Sequence, residues 1–272
     1  MTIKNILVSY NGSEAADAAL KTALIMAERY QAHLTGILAH GLPSMLYAYG
    51  GQVPQSAIDQ IEAADRVHRE EVKTAFFKLC ASTPDERVHF LDVYGEADET
   101  LMEVALGYDL VVLAPVEKRS NFPHMDVHPD VIARNSGKPV MMVPKGYDPT
   151  AFNENMLLAW DGKRAAARAL NAALALLQPE TALTVLTIGA PERAEAKAQP
   201  AMQQLQRHGY APKLITLKAK KVAKAILSTA AEEGAGLLVM GAYEHAKLAE
   251  DLFGGVTNTV LKKTKIPVLL SH

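Results

Sequence analysis

Asn5-Ile-Leu-Val-Ser-Tyr-Asn-Gly-Ser-Glu-Ala-Ala-Asp-Ala-Ala-Leu20 returns, without a gap, as Asn155-Met-Leu-Leu-Ala-Trp-Asp-Gly-Lys-Arg-Ala-Ala-Ala-Arg-Ala-Leu170. The Asn, the central Leu, the Gly, three alanines and the closing Leu are identical, and an aromatic residue faces an aromatic one at Tyr10 and Trp160. Each stretch is an apolar run, a turn and an alanine-rich helical pattern, the signature of a strand feeding a helix. Further on, Leu110-Val-Val-Leu is matched by Leu237-Leu-Val-Met, and Pro139-Val-Met-Met-Val by Pro267-Val-Leu-Leu. The chain is therefore a tandem duplication.

Working outward in the first copy, Ile3 to Ser9 reads as a strand, and Ser13 is placed to cap a helix over Glu14 to Tyr30. His33 to His40 reads as a strand, Gly41 to Gln55 as a loop, and Ser56 to Ala81 as a long charged amphipathic helix. Arg87 to Tyr94, Glu96 to Leu106 and Asp109 to Ala114 continue as strand, helix and strand. A polar loop from Pro115 to Met125, a short helix from about Val127 to Arg134 and a strand from Pro139 to Pro144 complete the copy. Lys145 to Thr150 reads as a linker. In the second copy, strands are expected at Ala182 to Ile188 and Lys213 to Leu217, and helices at Glu192 to Arg207 and Lys221 to Glu233. Alternating strands and helices imply right-handed crossovers and a parallel sheet covered on both faces. The expected domains are residues 1–146 and 153–272.

Composition sets the bounds. With 49% apolar and 21% charged residues the chain can build a sizeable core, and a formal charge of −2 gives no reason to expect a nucleic-acid partner. The cluster from Lys218 to Lys221 reads as a solvated loop. Cys80 is the only cysteine, so no internal disulfide can form, and its spacing from Phe76 and Phe77 suits a small core residue. The N-terminus carries no signal-peptide pattern and no apolar run reaches about 18 residues, so a cytoplasmic protein without a membrane span is expected.

In an open parallel sheet, ligands gather outside the C-terminal strand ends where the strand order reverses. In the second copy those ends are Ala159-Trp160-Asp161 and Met240-Gly241. The latter opens the stretch from Met240 to Thr257, in which Gly241 breaks a strand and Gly254-Gly255 start a helix ending near Lys265. Backbone N–H groups at a helix start can face an anion, and glycines let a phosphate approach the main chain. Asp161 suits a ribose hydroxyl or, alternatively, the N-cap of the following helix.

These residues resemble the universal stress protein family, and the likeness spans both copies. It rests on the strands ending in Tyr10-Asn-Gly-Ser and Trp160-Asp-Gly-Lys, on the strand–loop–helix after Met240, and on the Ile-Pro-Val-Leu-Leu terminus. The resemblance implies an α/β fold of two tandem, doubly wound, five-stranded parallel-sheet domains with strand order 3-2-1-4-5, packed face to face as a pseudo-dimer. It also implies that some members bind ATP through a Gly-x2-Gly-x9-Gly-Ser/Thr loop, whereas others lack the loop. Laid on this chain, the pattern falls on Gly241, Glu244, Gly254 and Gly255. A carboxylate at Glu244, if about 6 Å from a phosphate charge, would repel it by roughly 3 kcal/mol at an effective dielectric of about 20. A bridging Mg²⁺ would reverse that sign.

The first copy reads Ala114-Pro-Val-Glu117 at the corresponding place. Pro115 removes an N–H and Ala114 adds a Cβ, so this half is expected to lack a phosphate cradle. The second copy is expected to bind an adenine nucleotide, ATP with Mg²⁺. Ala159, Trp160 and Asp161 would contact base and ribose, and Met240, Gly241, Tyr243, Gly254, Gly255, Val256 and Thr257 would line the phosphates. The alternative is a stress protein that binds no nucleotide and acts through protein association. No general base stands near the loop except Glu244 or His245, and no hydrolase or dehydrogenase motif occurs, so no enzyme is expected beyond a slow ATPase. His124 and His128 have i, i+4 spacing, with Asp126 and Asp130 nearby, but a proline on each side and the absence of cysteine ligands favour a solvated loop over a metal site. Tyr47 and Tyr49 read as core packing or as cover for an interface. A homodimer of tandem chains is a further expectation.

Overall fold

The computed structural model describes residues 3–42, 54–117, 120–242 and 255–272. The first half runs β1 (Asn5–Ser9), α1 (Glu14–Tyr30), β2 (His33–His40), α2 (Gln55–Cys80), β3 (Val88–Tyr94), α3 (Ala97–Ala105), β4 (Leu110–Leu113), α4 (Pro129–Asn135) and β5 (Val140–Met142). The second runs β6 (Met156–Ala159), α5 (Arg164–Leu174), β7 (Leu183–Ile188), α6 (Pro191–Arg207), β8 (Lys213–Leu217), α7 (Val222–Glu232), β9 (Leu237–Gly241), α8 (Val256–Lys263) and β10 (Val268–Ser271). Short 3-10 turns at Pro123–Met125 and Pro149–Ala151 lie where a loop and a linker were expected. No described helix is long and apolar enough to cross a membrane.

The described strands form one ten-stranded sheet in the order β3-β2-β1-β4-β5-β10-β9-β6-β7-β8. Every pairing is parallel except the central one, where Val268, Leu269 and Leu270 of β10 run antiparallel to Met142, Met141 and Val140 of β5. The two halves thus meet edge to edge, which corrects the expectation of face-to-face packing. Helices already cover both faces of each half-sheet, so the unpaired backbone of the two end strands is what remains to be satisfied.

Side-chain alternation divides the interior into two layers that run through both halves. Ile6 and Val8 point to the side covered by α1, α2, α5 and α6, together with Leu20, Phe76, Leu158 and Leu170. Leu7 points to the other side, with Leu101, Ile132, Leu157, Ile226 and Val260 from the remaining helices and strands. Each fully buried Leu or Ile contributes about 1.5–3 kcal/mol relative to exposure. The expected linker, Lys145 to Thr150, is largely exposed, and the chain docks just beyond it. Phe152 is buried, Glu154 pairs with Arg29, and the Tyr30 hydroxyl lies 2.7 Å from the Leu176 carbonyl and 3.0 Å from the Glu154 carboxylate.

Candidate functional site

The duplicated strand–turn–helix has the same backbone in both halves. Tyr10 N–H donates to the Ile37 carbonyl at 3.0 Å and Trp160 N–H to the Leu186 carbonyl at 2.8 Å. Gly12 and Gly162 then turn with φ of +77° and +78°, a left-handed conformation that favours glycine. One residue earlier, the side-chain oxygens of Asn11 and Asp161 accept from the N–H groups of Ser13 and Lys163, at 3.1 and 3.0 Å. Asp161 is therefore the exposed start of an Asx turn; the N-cap position of α5 belongs to Lys163, which corrects the capping alternative.

Beyond the turn the two halves diverge. In the first, the Ser13 hydroxyl accepts from Ala16 N–H and caps α1. The Asn11 amide donates to the Asp126 carboxylate at 3.0 Å, so a protein carboxylate sits in the crevice between the ends of β1 and β4. Burial raises the Asp126 pKa against the help of its Ser120 and Asn11 hydrogen bonds. The cavity left between Ser9, Asn11, Ser13, Ala114, Pro115 and Asp126 encloses only about 20 Å³, room for one water molecule. Lys145 reaches Glu117 at 2.8 Å and Glu14 at 3.3 Å.

In the second half the residues in place of Ser13 and Glu14 are Lys163 and Arg164, and no described side chain caps α5. Exposed Lys197 of α6 lies against the same turn, its stem 3.6 Å from where a Cβ on Gly162 would be. Gly255, the N-cap of α8, likewise offers no side-chain cap. Among the described residues, neither α5 nor α8 begins with a side-chain cap of the kind that α1 has.

The sequence-selected residues divide by what they touch. Ala159 and Met240 are register partners on adjacent strands. Gly241 pairs with Ser271 and lies so close to α5 that a Cβ would stand 2.6 Å from the Ala166 nitrogen. Trp160 is buried, and its indole N–H donates to the Lys197 carbonyl at 2.7 Å, so the ring is part of the α6 packing. Gly255 and Val256 are exposed at the start of α8, and Thr257 is buried one residue on. Tyr243 and Gly254, with Glu244 and His245, lie outside the described residues, as do Tyr47 and Tyr49.

His124 and His128 do not share a ligand. The His124 ring is only 10% exposed, with Nε2 3.0 Å from Asp65, whereas the half-exposed His128 ring faces Asp98 at 2.9 Å. This corrects the solvated-loop reading for His124. Among the described residues no group of three or more His, Cys, Asp or Glu side chains could hold a metal ion. Sequence reasoning missed the network that His124 belongs to. Asp65 shares the buried stripe of α2 with Val72, Phe76 and Cys80, so a carboxylate in that helical register demanded a partner from elsewhere.

A doubly wound, mostly parallel sheet with a turn and a helix start at each strand switch is the architecture in which ligands, where bound, sit in the crevice at the strand ends. The family model of the universal stress protein family matches twice, over residues 2–144 and 153–272, and the chain belongs to that family. A universal stress protein of Synechocystis, Slr1230, is 25% identical over 190 residues; the match covers 68% of this chain and 65% of that protein's length. Among solved structures, a universal stress protein of Archaeoglobus fulgidus superposes with a TM-score of 0.75 at 15% identity, covering 99% of this chain and 96% of its own. A functionally unknown protein of Pseudomonas aeruginosa PAO1 gives 0.61 at 18% identity, covering 99% and 92%. At these identities the structural likenesses speak for the fold.

Proposed function

We propose that the second half binds an adenine nucleotide, ATP with Mg²⁺ as counter-ion of its phosphates, and that the chain acts as a nucleotide-responsive stress protein rather than a catalyst. The observation that carries this reading is the contrast between the two turns. The first half answers its helix start with Ser13 and fills its crevice with Asp126, whereas no described side chain caps α5, and Arg164 at its first position and the stem of Lys197 lie beside the turn. A helix start among cations favours an anionic guest. Asp161, exposed beside the turn, suits the ribose hydroxyls. With Trp160 held by α6, the base rests on the backbone and small side chains near Ala159 rather than on the indole face.

Nucleotide released by acid denaturation of freshly purified protein, together with a thermal shift in millimolar MgATP, is the expected result. The double variant Lys163→Ser/Arg164→Glu, which copies the first half's turn, is expected to bind at least about tenfold more weakly, since roughly 1.4 kcal/mol of lost attraction suffices. An empty protein with no shift in MgATP overturns the reading. The second reading, a stress protein acting through protein association, is favoured by Gly241, whose tight packing on α5 gives that glycine a role without any ligand.

A further inference from the structure

Near the C-terminal strand ends of the first half, ionisable side chains from four elements come together. Asp92 of β3 receives a two-pronged hydrogen bond from Arg69 of α2, at 2.6 to 3.0 Å, and lies 3.1 Å from Nε2 of His40 at the end of β2. One turn earlier on α2, Asp65 meets His124 of the 3-10 turn. Between them His68 of α2 stacks on Phe122, with ring centroids 3.9 Å apart and planes 5° from parallel. Asp65 and His40 are 7% and 9% exposed, so charge on these two groups has little solvent to screen it, whereas Arg69, Asp92 and His68 are only partly buried.

Counting charges shows what acid would do. With all three imidazoles neutral, one guanidinium faces two carboxylates. One proton balances the network. A further proton on His40 or His68 leaves excess positive charge beside Arg69, offset only by Glu71, which faces His68. α6, which occupies the corresponding place in the second half, contains no histidine from Pro191 to Arg207.

We propose that His40 and His68 form an acid-operated latch that holds the N-terminal part of α2 over the strand ends of the first half and lets it lift on mild acidification. Burial is the main force that keeps both imidazoles below their ordinary pKa. For His40, Arg69 and His124 act in the same sense, while Asp92 and Asp65 oppose; the Tyr94 ring lies edge-on to it at 5.6 Å. For His68, His124 adds to burial, while Glu71, Asp65 and a hydrogen bond to the Asn11 backbone oppose. A histidine whose folded pKa is depressed stabilises the closed form fully above its free value of about 6.5, and that contribution is lost as the pH falls below it. The latch is therefore shut at neutral pH and weakens in acid.

Hydrogen exchange read by mass spectrometry at pH 7.5 and 5.5, corrected for the chemical exchange rate, tests this on the full chain. Opening of residues 55–71 is expected to rise about tenfold relative to residues 191–207 of α6, since one excluded proton changes the equilibrium by up to about tenfold per pH unit. The double variant His40→Asn/His68→Asn is expected to give the same ratio at both pH values. An unchanged ratio in the parent protein, or a full response retained in the double variant, overturns the latch. Should the double variant fail to fold, each single variant is expected to lose part of the response, and a single variant pair with undiminished response overturns it equally.

Discussion

A Cβ at Gly241 would stand 2.6 Å from the Ala166 nitrogen and 2.7 Å from the Ala165 carbonyl carbon, both backbone atoms that cannot step aside. Gly241→Ala is therefore expected to destabilise the protein by about 1–3 kcal/mol in urea unfolding followed by Trp160 fluorescence. Exposed Gly107, where an added Cβ meets nothing nearer than 4.0 Å, is the control, and its change to Ala is expected to stay within about 0.5 kcal/mol. A Gly241→Ala variant as stable as the Gly107 control would show that β9 and α5 are packed more loosely than this. Gly241 was legible as the residue that ends an apolar run, because glycine in that setting signals a turn or a close approach. Asp65 was not legible, because one carboxylate in a helix rich in Glu, Arg and Lys carries no mark of burial. Cys80 fits its spacing; burial pushes its thiol up to about 12.

At the scale of elements, hydrophobic period gave the strands and helices, since alternation at two and at three to four residues follows from backbone geometry alone. The exceptions are short. The 3-10 turns at Pro123–Met125 and Pro149–Ala151 are too brief for any period, and their side chains explain their place: Met125 is buried, and Phe152 follows the second turn into the core. Glu154 shows what the second turn positions. Its carboxylate is buried against the Arg29 guanidinium and the Tyr30 hydroxyl of α1, joining a first-half helix to the strand that opens the second half. Glu154→Ala leaves Arg29 without that partner, and because Arg29 remains 34% exposed the cost is reduced to about 2 kcal/mol. A fall in the urea midpoint of that size is expected; a change below about 0.5 kcal/mol would mean that the pair is solvated away.

At the scale of the whole molecule, β5 and β10 turn two half-sheets into one. Separated halves, residues 1–150 and 151–272, would each leave one of these strands unpaired along an apolar edge whose Val140, Met141, Leu269 and Leu270 are buried in the intact chain. When expressed together they are expected to co-purify as a one-to-one complex by size exclusion. Two halves that stay monomeric and folded in the same tube would show that the seam adds little. The charge contrast also belongs to this scale. A carboxylate fills the first half's crevice while cations flank the second half's turn, and the antiparallel seam turns the strand ends of the two halves in opposite directions.

Duplication, strand–helix alternation and the glycine turns after Tyr10 and Trp160 were determined by the sequence alone, because each is written in residues close together along the chain and follows from local sterics and hydrophobic period. Only the tertiary structure decided that the halves join through a sheet edge, that Trp160 belongs to α6, and that His40, Asp65, Arg69, Asp92 and His124 form one network. Those outcomes depend on which distant backbone and side-chain groups must satisfy one another once water is removed, and no local pattern encodes that.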